Sequence, residues 1–510
     1  MDLRGKRALV MGLGVHGGGL GVARWLLRQG AQVTVTDAAD PEALSASVAV
    51  LDEAAAALGA QVAYTLGEHR AEEFAGADLV VANPAVRPDS PWLAHAHAAD
   101  VPVETEMTLF FRRCPGPIFG VTGTKGKTTT ALMLAAMLRE RHPGTVVAGN
   151  LRVSALETLD EISAETPVVL ELSSFQLERL GAAGLSPRYS LVTNLSPDHL
   201  DWHGSFDAYA AAKRQIYWHQ APDDVVALNG ADDGTAEHLP VWDLEAGRER
   251  RGGRVIWVGA GPAWSRLRSR FPHPFVRVVD TRVERRRDEV LWSDARGVFG
   301  PPTEWHGEEL FTPGDLRLPG AHNLYNAMLA AALARAYGVE GEAIRAALAG
   351  FAGVEHRLEP VRELDGVRYI NDTTATNPAA ALAALAAVEP PIVLIAGGAD
   401  KRLDFRALGA AIARRVEALV LLEGSATARL VEAVEAARPG AQGEGPAGPR
   451  LHGPYGDLAQ AVAAARGLAG PGATVLLSPG CASFGMFRNE FQRGEEFRRI
   501  VSELAPKAEG

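Results

Sequence analysis

Cysteine is scarce in this chain. Cys114 and Cys481 are the two present, far apart in sequence, and they offer neither a metal-ligand spacing nor a disulfide framework. They read as buried thiols in a reducing cytoplasm. A basic excess is missing as well: 51 Lys and Arg against 62 Asp and Glu leave a formal charge of -11. Without that excess nothing neutralises phosphates along a duplex, so nucleic acid is not an expected partner, although a few local cations could still hold a small anion. Nor does any apolar run reach the roughly 18 residues that a spanning helix needs. The opening Met1-Asp2-Leu3-Arg4-Gly5-Lys6-Arg7 leads into a strand rather than a signal peptide. A membrane partner is therefore not expected, and a cytoplasmic location is.

With those classes removed, 510 residues point to about three domains, each large enough to bury a core. The stretch that organises them is Ile118-Phe119-Gly120-Val121-Thr122-Gly123-Thr124-Lys125-Gly126-Lys127-Thr128-Thr129-Thr130, an apolar strand, a glycine turn and the start of a helical pattern from Ala131 to Arg139. Such a turn aims backbone N–H groups and a helix N-terminus at an anion. Lys127 would face the outer phosphates, and the Thr128 hydroxyl would be a ligand for the accompanying Mg2+. The strict phosphate-loop spelling wants glycine at position 121, where this chain has Val121, so the loop is a shortened variant. The bland alternative is a glycine-rich turn beside a solvated lysine.

Upstream, the strand from Arg7 to Met11 runs into Gly12-Leu13-Gly14-Val15-His16-Gly17 and a helix from about Gly19 to Gln29, and a second strand ends at Asp37. An acid about 20 residues beyond the last glycine is where Rossmann domains meet a ribose hydroxyl. Physically this asks only for a diphosphate on a helix N-terminus, so a UDP-sugar fits as well as NAD, and a ligand-free packing turn remains open. Further strands at Gln61 to Thr65 and Leu79 to Ala82 complete a small parallel sheet.

Downstream of the phosphate loop, Val168-Val169-Leu170 ends in Glu171, and Tyr189 to Thr193 opens into Asn194-Leu195-Ser196-Pro197-Asp198-His199. Carboxyl ends of parallel strands form the rim where open sheets bind ligands, which makes Glu171 a plausible Mg2+ ligand. His199 could bind a metal or touch substrate, though an isolated loop histidine is more often ordinary surface. Lys213, among alanines on the helix from Phe206 to His219, reads most simply as a solvated lysine. Residues 231 to 315 carry charged runs and short strands at Val255 to Val258 and Val290 to Trp292, read as solvated hairpins and loops without a site. Beyond them, Asn323 and Asn326 share a face of the helix that ends at Tyr337. A last doubly wound unit has three polar strand ends, Asn371 to Asn377, Gly397 to Lys401 and Ser478 to Phe484, which should form one cleft.

Together these motifs resemble the Mur ligase family over nearly the whole length except roughly 231 to 315. They comprise Thr122 to Thr129, Glu171 to Leu177, Asp198-His199, Ala211-Ala212-Lys213, His322-Asn323 with Asn326, His356-Arg357, Asn371-Asp372 with Ala375-Thr376-Asn377, and Ser478-Pro479 with Cys481-Ala482-Ser483. The resemblance implies an α/β fold of three domains, each on a mainly parallel sheet: a Rossmann-like N-terminal domain for a UDP-precursor, residues 1–112; a central phosphate-loop ATPase domain, 113–353; and a Rossmann-like C-terminal domain for an amino acid, 354–510. It further implies an ATP-dependent, amide-forming ligase working through an acyl phosphate, with UDP-N-acetylmuramoyl-L-alanine and glutamate as substrates, in peptidoglycan precursor synthesis. A monomer is expected.

Carried over by position, the resemblance implies that Gly123, Thr124, Lys125, Gly126, Lys127, Thr128 and Thr129 hold the ATP phosphates, with Asn326, Arg357 and Asp372 on the nucleotide. Two Mg2+ sites are implied, Thr128 and Glu171 on the first, His199 and Lys213 on the second, Lys213 as a carbamate formed with CO2. Lys127, Glu171, His199, Lys213 and Arg357 would be the catalytic set. Gly12, Gly14, Val15, His16, Gly17, Asp37, Asn83 and Asn150 would line the UDP-precursor site; Thr376, Lys401, Ser483 and Phe484 would bind glutamate. The sequence departs from the family pattern at the longer glycine loop, at Thr374 and at Glu490. Other readings are a sister ligase adding another amino acid, including L-glutamate, a folate polyglutamylating enzyme, an NAD-dependent oxidoreductase and a non-catalytic nucleotide switch.

Overall fold

The computed structural model describes residues 2–14, 18–150, 154–239, 309–318, 321–400, 403–438 and 448–506, with short strands between 242 and 299. Val15, His16, Gly17 and Lys401 lie outside the described residues. Contacts divide the chain into two compact units, Met1–Ala352 and Gly353–Gly510.

The first unit opens with β1 (Arg7–Met11), α1 (Gly18–Arg28), β2 (Gln32–Asp37), α2 (Pro41–Ala57), β3 (Val62–Leu66), β4 (Leu79–Ala82) and β5 (Val103–Glu104). These form an all-parallel sheet in the order β3-β2-β1-β4-β5. The order reverses beside β1, so the glycine turn that follows it sits at the switch point where doubly wound sheets take ligands. Gly19 is there for packing: a Cβ on it would lie 2.0 Å from the Gly12 carbonyl oxygen, so only glycine lets α1 approach the strand end this closely.

The second sheet follows α3 (Glu106–Arg113) and is built from β6 (Ile118–Thr122), α4 (Lys127–Arg139), β7 (Val146–Gly149), β8 (Val168–Glu171), α5 (Ser174–Ala182), β9 (Tyr189–Val192), α6 (Leu200–His203), α7 (Phe206–Trp218), β10 (Val225–Asn229), β11 (Arg254–Val258), β12 (Val290–Ser293), β13 (Val298–Phe299) and β14 (Glu309–Phe311). Its nine strands run in the order β14-β13-β12-β11-β10-β9-β6-β8-β7. The strands expected at Val255 to Val258 and Val290 to Trp292 are present as β11 and β12, but the reading of 231–315 as solvated is corrected here. β11 pairs in parallel with β10, β12 with β11, and Ile256, Trp257, Val258, Leu310 and Phe311 are buried. β13 and β14 went unread because strands of two or three residues leave no periodicity to detect.

One face of this sheet is covered by α4 and by α8 (Ala321–Tyr337), whose Met328, Leu329 and Leu333 meet Met133, Leu134 and Phe119 in one core. The other face, carrying α5 and α7, belongs to a core that continues through Met107 and Phe110 of α3 and Leu156 into Val10, Trp25 and Leu26 of the N-terminal sheet. The boundary expected near residue 112 is thus a boundary of sheets, while the apolar packing runs across it.

The second unit contains β15 (Glu359–Leu364), β16 (Val367–Asn371), α9 (Pro378–Ala387), β17 (Ile392–Ala396), α10 (Arg406–Arg415), β18 (Val416–Leu422), α11 (Thr427–Ala436), β19 (Arg450–Tyr455), α12 (Leu458–Leu468), β20 (Thr474–Leu477) and α13 (Glu490–Glu503). The sheet order is β15-β16-β20-β17-β18-β19, parallel except for β15. The two strands that sequence reasoning missed, β15 and β19, are the edges. Both contain proline, Pro360 and Pro454, which argues against a strand except at an edge.

Trp25 tests the shared core. It is 1% exposed and the Arg113 guanidinium lies 5.1 Å from its ring centroid. Trp25→Ala is expected to cost about 3–5 kcal/mol. Amide exchange should then quicken in β6 as well as β1; unchanged protection of β6 would show that the two sheets unfold independently.

Candidate active site

The phosphate loop is held open by its neighbours. Gly123 has φ +146° and a Cβ there would strike Thr193 Oγ1, while Gly126, at φ +81°, leaves room for Asn326 Oδ1, which a Cβ would meet at 2.9 Å. Asn194 fixes the turn from β9: its Oδ1 accepts from Lys125 N at 2.9 Å and its Nδ2 donates to Lys125 O at 2.8 Å. Thr193 Oγ1 donates to the same carbonyl at 2.6 Å. Lys127, the first residue of α4, curls over the loop and donates to Gly123 O and Thr124 O at 3.1 and 3.0 Å. Bent back in this way, its ammonium lies against the glycine turn.

Beside the loop, at the end of β8, Glu171 is 3% exposed. Thr128 Oγ1 donates to its Oε2 at 2.6 Å, and Asn150 Nδ2 to its Oε1 at 3.0 Å. A hydroxyl and a carboxylate side by side at a phosphate loop are hard oxygen donors, the set Mg2+ takes when substrate phosphates and water complete an octahedron. The residues present therefore fit the ion, and among the described residues no group of three or more His, Cys, Asp or Glu side chains is arranged so that it could hold a metal ion by itself. Asn150 was expected at the UDP-precursor site; the structure brings it to Glu171.

Lys213 is not the solvated lysine of the bland reading. It is 2% exposed on α7, its Nζ lies 3.3 Å from Thr122 Oγ1 and 4.9 Å from the Tyr209 ring centroid. Burial, then the nearby Lys127, push its ammonium down to about 7, against the opposing pull of Asp198 and Glu171. An amine so placed spends much of its time neutral near pH 7, the form that can act as a nucleophile. Tyr209 escaped sequence reasoning although it lies four residues before Lys213 on the same helical face. Its hydroxyl stands 3.1 Å from Thr124 Oγ1, joining the lysine's wall to the loop. His199 caps α6 at φ +51° with its ring about half exposed, 3.8 Å from Asp198 Oδ2.

On the N-terminal sheet, Gly12 and Gly14 have φ of +92° and +69°. Asp37 Oδ2 accepts from Gly14 N at 3.2 Å, and Asn83 Nδ2 donates weakly to Gly12 O at 3.4 Å. Asp37 and Asn83 thus flank the glycine turn.

In the second unit the polar strand ends do converge, because β16, β20 and β17 are neighbours. Asp372 is 4% exposed and accepts from Ser478 Oγ at 2.7 Å and Leu358 N at 3.1 Å. Burial pushes its carboxyl up to about 6 despite these bonds and Arg357. Arg357 itself is exposed between His356 and Leu358, both at positive φ. Ala399 and Ala482 exchange backbone bonds at 2.9 and 3.2 Å, which places the two loops side by side. Next to that bridge, Ser483 Oγ is buried without a hydrogen-bond partner among the described residues, and the Phe484 ring is 46% exposed. Thr376 lies on the same edge, its N donating to Thr374 O at 2.8 Å.

Three domain patterns match this chain in order: the Mur ligase MurD-like N-terminal domain over residues 6–105, the Mur ligase middle domain over 121–246, and the Mur ligase glutamate ligase domain over 356–481. Among curated proteins, the UDP-N-acetylmuramoylalanine–D-glutamate ligase of Roseiflexus sp. is 53% identical over 502 residues, covering 98% of this chain and 99% of its own. Its namesake from Streptomyces coelicolor is 37% identical over 509 residues, with 99% of both chains covered. Among solved structures, the UDP-N-acetylmuramate–alanine ligase MurC of Thermotoga maritima shares the fold at TM-score 0.54 and 20% identity, over 98% of this chain and 100% of that one. MurF of Acinetobacter baumannii aligns at TM-score 0.51 and 18% identity, over 84% and 91%. The phosphate loop with its Thr128–Glu171 pair, the three mainly parallel sheets and a 53% identical full-length relative lead to one conclusion: the chain belongs to the Mur ligase family.

Proposed function

We propose that the chain is an ATP-dependent ligase that joins D-glutamate to UDP-N-acetylmuramoyl-L-alanine, a step of peptidoglycan precursor synthesis. The observation that carries this reading is the full-length identity to ligases of that name, joined to a phosphate loop whose hydroxyl and carboxylate stand ready for Mg2+. A monomer in the cytoplasm is part of the same proposal. Among the described residues no helix is long and apolar enough to cross a membrane. Residues 1–112 are assigned to the UDP-precursor, 113–353 to ATP and 354–510 to the amino acid.

In the proposed reaction the terminal carboxylate of the precursor attacks the γ-phosphorus of ATP, releasing ADP and leaving an acyl phosphate. The amine of glutamate then attacks the activated carbonyl, phosphate departs, and an amide forms. Two anions must meet in the first step, so positive charge and fixed orientation carry the catalysis. Mg2+ supplies charge neutralisation between carboxylate and phosphate, with Thr128 and Glu171 proposed for one ion and His199 and Lys213 for a second. Lys127 holds the outer phosphates; Gly123 to Thr129 present the backbone N–H groups. Asn326, Arg357 and Asp372 are assigned to the nucleotide, and Gly12, Gly14, Val15, His16, Gly17, Asp37, Asn83 and Asn150 to the precursor. Thr376, Lys401, Ser483 and Phe484 are assigned to glutamate.

For Lys213 to serve a cation its charge must be reversed. We assign it a carbamate, formed as the amine attacks CO2 and gives up a proton; the support is its burial within the reach of Thr122 and Tyr209.

Phosphate release from ATP with UDP-N-acetylmuramoyl-L-alanine and D-glutamate tests the reading, L-glutamate being the control; release without dependence on the precursor, or equal rates with the two enantiomers, would overturn it. Lys127→Ala is expected to lower kcat by at least about 10²-fold while leaving precursor affinity in calorimetry intact. Lys213→Ala is expected to lose ligation and to regain part of it in added acetate or formate, whose carboxylates replace the missing one. A fully active Lys213→Ala variant would leave the lysine a structural group.

A further inference from the structure

The loop from Asn83 to Ser90 leaves the carboxyl end of β4 and carries Asn83, which faces the glycine turn. Asn83 starts a tight turn in which Val86 N donates to Asn83 O at 2.9 Å. The next two positions reach the other sheet's helices. Val86 O accepts from Nη2 of Arg179, on α5, at 2.8 Å. The Arg87 guanidinium lies 5.0 Å from the Trp202 ring centroid, on α6. These are the helices that follow Glu171 and His199: α5 begins three residues after Glu171, and His199 is the N-cap of α6.

The receiving surface is itself fixed. Trp202 Nε1 donates to Glu178 Oε2 at 3.3 Å, and the Trp202 ring lies edge-on to Phe175 at 4.9 Å. Phe175 in turn meets the His199 ring at 5.0 Å. Arg179 is half-buried and spends a donor on a main-chain carbonyl of the other layer; burial lowers its pKa, and the charges of Glu178 and of Asp89, on the same loop, work against that. A guanidinium with several directed donors, partly withdrawn from water, loses most when its acceptor moves, so it fixes position as well as adding attraction.

We propose that Arg179, Arg87 and Trp202 are positioning residues that clamp the Asn83 loop onto the helices behind Glu171 and His199, so that a ligand held by the glycine turn of the N-terminal sheet is set in register with the phosphate loop. The inference rests on the functional reading above in taking that ligand to be the UDP-precursor, whose carboxylate must arrive at the phosphate with sub-ångström accuracy. Misplacement on that scale is costly in rate even when no reacting group is altered.

The test uses the full-length protein and the variants Arg179→Ala, Arg179→Lys and Trp202→Leu. Hydrogen–deuterium exchange without ligands should quicken about tenfold in residues 83–90 of the Ala and Leu variants, with β6 and β8 unchanged, and recover in part in Arg179→Lys. In steady-state assays the KM for UDP-N-acetylmuramoyl-L-alanine should rise about tenfold with the KM for ATP within twofold of the parent. Unchanged exchange in 83–90, or KM values for both substrates rising together with a lowered Tm, would overturn the clamp. A parent protein without precursor-dependent phosphate release would overturn the functional reading instead, and the exchange comparison would still decide whether the clamp holds the loop.

Discussion

Glu171 is a carboxylate withdrawn almost wholly from water, and a buried anion is tolerated only where donors or cations surround it. Thr128 and Asn150 each give it a hydrogen bond, and the backbone of Asn150 bonds the Glu171 carbonyl at 2.7 Å. To bring Asn150 that close, Gly149 must lack a side chain, since a Cβ would fall 2.3 Å from the same carbonyl. The turn after β7, the end of β8 and the first turn of α4 are therefore fixed to one another by the needs of a single carboxylate. The cost of burying it is returned as function if a divalent cation takes the place of the Thr128 proton, because the oxygens are already in place and little reorganisation is left to do.

The parallel sheets made much of this legible from sequence. In a β-α-β chain each strand's carboxyl end marks the functional rim, so polar residues directly after an apolar run, such as Glu171, Asn194, Asp372 and Ser478, could be singled out without coordinates. What was illegible had a different cause in each case. Asn150 follows Val146–Gly149 on an ordinary strand end, and nothing local says that its amide turns toward Glu171. Tyr209 contributes a ring face to Lys213 one turn on and a hydroxyl to Thr124 of the loop, and the second of these contacts is set by tertiary packing alone. The edge strands β15 and β19 broke the hydrophobic pattern because edges are where proline and charge are permitted.

Lys213 shows most clearly where propensity reasoning stops. On sequence it follows three alanines, Ala210 to Ala212, on a helix that would suit an exposed face, and its surroundings are decided by Tyr209 one turn earlier and by Thr122 on a strand 91 residues before it. Once buried, a lysine has few options: it can find a carboxylate, give up its proton, or be modified. Among the described residues the structure records for its Nζ a hydroxyl at 3.3 Å and an aromatic face, with Lys127 close enough to disfavour its charge.

That placement separates the two lysines in environment although they lie close to one another. Lys127 springs from a helix N-terminus, where the macrodipole already favours an anion, and its ammonium bonds two loop carbonyls. Lys213 comes from the middle of α7 with hydrophobic neighbours, Ala210, Ala212 and Ile216, and its charge is opposed by burial and by Lys127. Two ammonium groups held near one another cannot both be comfortable, and the more deeply buried one yields. One lysine at a helix terminus and the other under an aromatic ring thus give the same residue type opposite electrostatic surroundings.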